Sequence, residues 1–512
     1  MNKNSRTKNV YINTTVSVSM QIFMLVLNFV SRIVFIKAFG ESYLGINGLY
    51  SNIISVFSLA DLGIGGAIIY SMYLPISQGD EQKITALLNF YKSCYRVIGI
   101  TVCIIGLSLV PFLKYLVKLE TNIDHITLYY LLFLADSVAS YFFVYKTSIF
   151  NADQKNYKLK MYKSIFCTIK FILQLFVVLY LKNFTVYLLV QVAFSISFNY
   201  FCSKKAEKEY PYIKNKNIKL DKSEKKTIWQ DIKSMMTYQI GGVLLNNTDN
   251  IFISVLVGTV MVGFYSNYIM IVSSVNIFVV LVFNSIQSSV GNLAATESSE
   301  KQYKIFKVLQ LLSFWLYGFC SICIYILSQD FISICFGASY KLSNIVLAVV
   351  VLNFYIMGIL YPVYCYRNTV GLFKQTKNVM LFTCLINLVL SIILGKYFGL
   401  VGILAATGLS RLATNHWYEP LKLYTVYFNK KIRYYYFKQC YYILVLFTNT
   451  VLILFIIENI ALENILLLFV IKGLLCVIIP NAVFILLFRK TNEFKYIINS
   501  FRNILHLRGH NI

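Results

Sequence analysis

Six charged side chains fall where a charge is costly. Arg32, Asp61, Asp136, Lys170, Asp249 and Arg411 each lie inside an apolar stretch long enough to cross a bilayer. At mid-bilayer a charge costs about 2.5–3.5 kcal/mol on insertion scales, so each such residue is a functional-site candidate by default. Arg32 lies about a turn inside its segment, within snorkelling reach of the surface. Alternatively, Arg32 and Asp61 pair or line a polar cavity. Asp136 and Asp249 lie deeper. Asp249 belongs to the run Asn246-Asn247-Thr248-Asp249-Asn250, which is hard to place against lipid. It fits a water-filled cavity, an interface between halves, or an interhelical hydrogen-bond cluster. Lys170 and Arg411 can pair with Asp136 or with helix carbonyls. Lys146 is read as snorkelling, and Lys472, nearer the outer side of its span, carries no assigned role.

The elements that must position these groups are membrane helices. The chain has 512 residues, 58% hydrophobic and only 13% charged. A soluble domain carries about 25% charged residues. Apolar segments of spanning length are expected at 13–37, 43–73, 88–112, 124–150, 161–181, 184–203, 233–257, 264–292, 307–328, 343–366, 377–395, 399–419, 438–457 and 463–488. Every second break between them is rich in Lys and Arg. About 36 of the 47 basic residues fall on one side. Basic short loops are retained in the cytoplasm, so an even number of spans places both termini there. The expected fold class is an all-α integral membrane protein of about 14 transmembrane helices.

Several function classes are disfavoured. The net charge of +26 sits in loops facing one leaflet, which argues against nucleic acid and for attraction to anionic lipid. No GxxxxGK[ST] phosphate loop occurs, so the chain is not its own ATPase. Eleven cysteines are scattered, nearly all in apolar segments, and the CxxC at Cys320 and Cys323 reads as packing within a span. No cofactor or metal is expected. Outer-side acidic residues are isolated and no outer loop is long, which weakens a catalytic reading.

The organisation suggests two halves. Tyr43-Leu44-Gly45 followed by Tyr50-Ser51-Asn52 is echoed by Met261-Val262-Gly263 followed by Tyr265-Ser266-Asn267. Six spans separate the copies, so the halves share one orientation and form a parallel repeat. Expected domains are an N-terminal six-helix lobe (1–203), a basic cytoplasmic linker (204–232), a C-terminal six-helix lobe (233–425), and two further helices with a cytoplasmic tail (426–512).

Motifs in order along the chain resemble a known family. Ser31-Arg32-Ile33, Leu44-Gly45 and Phe57-Ser58-Leu59-Ala60-Asp61-Leu62-Gly63-Ile64-Gly65-Gly66-Ala67 resemble the opening of bacterial polysaccharide repeat-unit flippases of the Wzx type. Val262-Gly263-Phe264-Tyr265-Ser266-Asn267-Tyr268 resembles the start of their second lobe. Ile386-Asn387-Leu388-Val389-Leu390-Ser391-Ile392 resembles their eleventh span. Gly399-Leu400-Val401-Gly402-Ile403, Trp417-Tyr418-Glu419-Pro420 and Leu423-Tyr424 resemble the twelfth span and its exit.

That family belongs to the multidrug/oligosaccharidyl-lipid/polysaccharide exporter superfamily. The resemblance implies two pseudo-symmetric six-helix lobes around a central cavity that opens alternately to each side. It implies an oligosaccharide on a polyprenyl diphosphate as substrate, and no enzymatic activity. The final two helices are similar to those of the related peptidoglycan lipid flippase. In this reading Arg32, Lys170 and Arg411 offer counter-charge to the diphosphate, and Asn246, Asn247 and Asn250 offer hydrogen bonds to sugars. Asp61, Asp136 or Asp249 would carry protons or Na⁺. Capsular, exopolysaccharide or O-antigen synthesis at the bacterial plasma membrane is the implied setting, with a polysaccharide polymerase and glycosyltransferases as partners. Competing readings are a peptidoglycan lipid precursor flippase, a multidrug cation exporter, and a membrane polysaccharide polymerase or ligase.

Overall fold

A computed structural model describes residues 3–57, 64–118, 123–153, 155–215, 218–370, 372–376, 378–460, 462 and 464–499. Among these the chain is helical throughout, with no strand. Ten helices are long and apolar enough to cross a membrane, or eleven if one bent pair counts as a single span. The all-helical membrane fold is therefore as expected, and among the described residues each expected span falls on helix. The lower tally arises because two hairpins each run as one element through a single-glycine turn. The expected span 233–257 also falls short, because its polar run 246–250 lowers its mean hydropathy.

The chain divides into two compact units, 1–263 and 264–512. The first begins with α1 (Lys3–Phe57) and α2 (Ile64–Gln78). Gly40 breaks α1 at φ 78°, a left-handed conformation that glycine adopts without a Cβ clash. It falls at the outer turn expected between the first two spans. Next come α3 (Glu81–Ser108), α4 (Leu113–Leu116), α5 (Ile126–Tyr141) and α6 (Val144–Ala152). Helices α5 and α6 form the bent pair, at 53°. Helices α7 (Asn156–Phe176), α8 (Phe184–Glu209) and α9 (Lys222–Leu256) complete the unit, with the start of α10 (Thr259–Thr296). Helix α1 packs on α7 and α9, and α5 on α8.

The two glycine motifs that echo one another meet inside this unit. A Cβ added to Gly45 would lie 2.1 Å from the Thr259 carbonyl oxygen, and one on Gly263 would lie 2.9 Å from the Gly45 nitrogen. Thr259 ties this seam to the segment that follows α4. Its amide donates to the Lys118 carbonyl at 2.9 Å, and its hydroxyl accepts from the Lys118 amide at 2.8 Å.

The second unit contains α11 (Ser299–Cys335), α12 (Asn344–Ile359), α13 (Tyr361–Thr369), α14 (Phe373–Thr376), α15 (Val379–Ala413), α16 (Asn415–Lys422), α17 (Arg433–Glu458) and α18 (Ile465–Phe488). Pro362 in the first turn of α13 lacks an amide donor, and the tenth span breaks there. Gly399, at φ 56°, reverses α15. A buried cluster of Phe306, Leu309, Leu360, Tyr366, Tyr424 and Tyr435 forms one core. Tyr434 stands on the surface at 74% exposure, as an interfacial belt residue should, whereas Tyr435 and Tyr442 point inward. Adjacent positions on a helix face different ways, so one tyrosine run serves both roles.

Helices α17 and α18 are clasped onto α11 at both ends. Phe314 stacks on Tyr442 with centroids 4.1 Å apart, and Trp315 donates to Asn481 Oδ1 at 2.8 Å. Further along, Lys472 Nζ meets Asp330 Oδ2 at 2.7 Å. Lys472, without an assigned role in the sequence, thus has a partner. Beyond α18, Glu493 lies 3.5 Å from Lys438 and 3.9 Å from Lys307. Burial alone raises the Glu493 carboxyl, but these two ammoniums outweigh it and hold the group below its ordinary value. A depressed folded-state value stabilises above the unfolded pKa and is lost as pH falls through the folded one. Glu493→Gln is therefore expected to lower thermal stability at neutral pH by less than about 1 kcal/mol. In acid, melting curves of variant and parent should converge. A constant gap across both limbs would refute the ionic origin.

Candidate functional site

Intramembrane polar groups gather within each unit. In the first, a cleft of about 230 Å³ opens between α5, α7 and α8. Asp136, Lys163, Lys170, Gln191 and Ser195 line it, with the rings of Phe166, Phe194 and Phe198. Helical spacing explains the grouping. Lys163, Phe166 and Lys170 recur at three and four residues on one face of α7, as do Gln191, Phe194, Ser195 and Phe198 on α8. Gln191 Nε2 donates to Asp136 Oδ2 at 3.2 Å. Asp136 Oδ1 is buried with no hydrogen-bond partner among the described residues. Lys170 and Asp136 thus share one cleft, yet among the described residues neither is in an ion pair within 4.0 Å. The pairing weighed from sequence gives way to an amide–carboxylate contact. An ammonium and a carboxylate facing one cleft can hold an anion and take up a cation or proton.

Arg32 stands on α1 beside α8. The Tyr187 hydroxyl lies in its electrostatic field, and the Ser31 side chain hydrogen-bonds the same hydroxyl. Gln174, buried on α7, donates to the Tyr187 carbonyl at 3.3 Å. The Tyr187 ring is fixed by Phe35, Phe39 and Phe184. This arrangement presents a guanidinium together with hydroxyls inside an apolar surround, which suits an anionic, hydrogen-bonding ligand.

The polar run on α9 is only partly turned to other helices. Asn247 Nδ2 donates to the Val243 carbonyl at 2.8 Å, and the Thr248 hydroxyl to Leu244 at 2.8 Å. These bonds return to their own helix, so they lower the cost of the run in the membrane. Asp249 is buried at 7% exposure. Asn250 Oδ1 is buried and lacks a hydrogen-bond partner among the described residues. The Asn246 side chain and all of Asp61 lie outside the described residues.

In the second unit Arg411 is buried on α15, in the electrostatic vicinity of His416. His416 Nε2 meets the Ile356 carbonyl at 2.9 Å and so donates to it. A chain of buried polar groups runs alongside. The Thr383 hydroxyl bonds Thr414 at 2.6 Å and donates to Asn415. Asn415 Nδ2 donates to Glu419 Oε1 at 3.4 Å, and Arg367 Nη1 donates to the same oxygen at 2.9 Å. Asn387 donates to the Thr407 hydroxyl at 3.0 Å. Arg367 lies one residue beyond the expected span 343–366, and Glu419 enters the sequence reading only within a family motif, so neither was a site candidate. The usable signal was the carboxylate in the apolar exit of the twelfth span.

No protein-family model matches the chain, and no curated protein sequence matches it. Solved structures do. The lipid II flippase MurJ in an inward closed conformation is similar at TM-score 0.65 and 15% identity, over 93% of this chain and 99% of that one. An inward-facing multidrug resistance MATE transporter of the MOP superfamily gives 0.62 at 13% identity, over 80% and 98%. A Vibrio cholerae MATE transporter, VcmN, in a mutant form gives 0.54 at 14% identity, over 83% and 99%. At these identities the likeness shows a shared fold.

Proposed function

We propose that this chain is a flippase that carries a polyprenyl-diphosphate-linked oligosaccharide repeat unit across a bacterial plasma membrane, for surface polysaccharide synthesis. The observation that carries the reading is the set of cations held within membrane helices. Arg32 and Lys170 stand near hydroxyl and amide groups, and Arg411 is buried near His416, none of them in a surface loop. A diphosphate needs counter-charge to leave water, and sugars need hydrogen-bond partners at every depth. The polyprenyl tail can stay in hydrocarbon while the head group follows the polar helix faces. A cation exporter would gain nothing from these charges, since they repel its substrate.

The two carboxylates placed by the described residues, Asp136 and Asp249, are the proposed coupling groups. Asp136 has one free buried oxygen facing a cleft with Lys170. Both chain termini are proposed to be cytoplasmic, on the side of the basic loops.

Losing Arg32 or Arg411 removes a charge-assisted contact worth about 1.5–3 kcal/mol, so each alanine variant is expected to reduce export about tenfold or more. The measurement is surface polysaccharide in a deletion strain complemented with Arg32→Ala or Arg411→Ala, at matched membrane protein level. Normal polymer in both would remove these residues from the mechanism. A second reading, flipping of peptidoglycan lipid precursor, is favoured by the coverage. The MurJ structure spans 93% of this chain and the two MATE structures 80% and 83%. Proteoliposomes offered each lipid separately distinguish the two.

A further inference from the structure

We infer that the first unit holds a binding pocket for a phosphate-bearing anion between the middle of α3, the bend after α5 and the end of α8, separate from the groups named above. A cavity of about 600 Å³ lies there, within the usual size of small-ligand sites. Lys92, Arg96, Lys146, Lys204 and Lys214 line it, against the single carboxylate of Glu207.

The cations are built in rather than scattered. Glu207 holds Lys146 at 2.5 Å and Lys204 at 3.2 Å. Lys146 and Lys92 flank the ring of Tyr145, at 5.6 and 5.8 Å from its centroid. Arg96 lies within electrostatic range of the Tyr145 hydroxyl. Tyr145 stands just past the bend between α5 and α6, so that bend brings these charges together. The connector after α8 closes another wall. Asn89 Nδ2 donates to the carbonyls of Asn215 and Ile218, each at 3.0 Å, which fixes Lys214 over the cavity.

The neighbouring basic cluster makes the contrast. Lys155 and Lys158 share Asp153 and Glu209 at 2.6–3.1 Å, so cations and carboxylates balance. Around the cavity five cations face one carboxylate, and among the described residues neither Arg96 nor Lys214 has a carboxylate within 4.0 Å. Like charges held around a concavity repel one another until an anion enters. Guanidinium and ammonium groups together match the oxygens of a phosphate or diphosphate. Such a group can arrive on a lipid head or on a soluble molecule.

The test uses the full chain in nanodiscs of phosphatidylcholine. Inorganic pyrophosphate and farnesyl diphosphate are titrated, with protection against thermal unfolding as the readout. Arg96→Gln combined with Lys214→Gln removes two exposed cations, and Lys158→Gln serves as the control outside the cavity. The double variant is expected to weaken binding about tenfold or more, with the control unchanged and unliganded melting intact in both. Tighter binding of farnesyl diphosphate than of pyrophosphate assigns the site to a lipid head group. Equal affinities assign it to a soluble phosphate. If neither ligand protects the parent chain, or if the control weakens binding as much as the double variant, the pocket is refuted. That failure leaves polysaccharide export through Arg32 and Arg411 untouched, so the two proposals fail separately.

Discussion

Glu419→Ala should lower the stability of the chain by about 3–5 kcal/mol, the cost of leaving a buried charge without its partner. Arg367 and Glu419 are 7% and 0% exposed, with Nη1 and Oε1 2.9 Å apart. The Arg367 guanidinium also lies over the Tyr364 ring, 5.0 Å from its centroid. Removing the carboxylate takes the anionic partner away from a guanidinium that stays buried. Removing both charges relieves that penalty, because the pair's own Coulomb gain is largely consumed by its desolvation. Arg367→Met with Glu419→Leu should therefore recover most of the loss. The measurement is thermal unfolding in detergent of Arg367→Met, of Glu419→Leu and of the two combined, read as a thermodynamic cycle. Strict additivity would mean that the two groups do not act as a unit.

Gly45→Ala should be nearly as damaging. Its new Cβ would stand 2.1 Å from the Thr259 carbonyl oxygen and 2.8 Å from the carbonyl carbon. Both are backbone atoms, so no rotamer change relieves the clash and the two segments must part by more than an ångström. Overpacking of this kind costs about 1–3 kcal/mol and more where backbone must move. Separation would also strain the paired Thr259–Lys118 hydrogen bonds. Gly473→Ala provides the comparison, since its Cβ would meet nothing within 4 Å. There the alanine should be neutral or stabilising by up to about 1 kcal/mol. Equal folded yields and melting temperatures for the two variants would show that the seam is looser than its geometry.

Where helices run was legible from the sequence, and direction around each helix was not. Among the described residues the apolar segments fell on helix, and the turns at Gly40 and Gly399 fell where short breaks were expected. Asp136 and Lys170 were candidates for one another, and they do share a cleft. The contact that Asp136 makes is with Gln191, a neutral residue that no charge-based search would select. Lys472–Asp330 and Arg367–Glu419 span 142 and 52 positions. Each partner alone has an ordinary explanation near a span end, and a single sequence carries no azimuth with which to match them. The glycine echo was visible as a repeat, but that its two copies would touch was beyond any periodicity.

The clasp of α17 and α18 on α11 also sets what the chain can lose. Their outer flanks carry Phe437, Phe447, Phe455, Leu466 and Ile478 in the open, at 61–77% exposure. Their inner flanks cover Phe314 and Trp315 and neutralise Asp330. A chain cut before Arg433 would turn an uncompensated carboxylate and a raw aromatic seam toward acyl chains, so the hairpin works as a plug that the rest of its unit cannot do without.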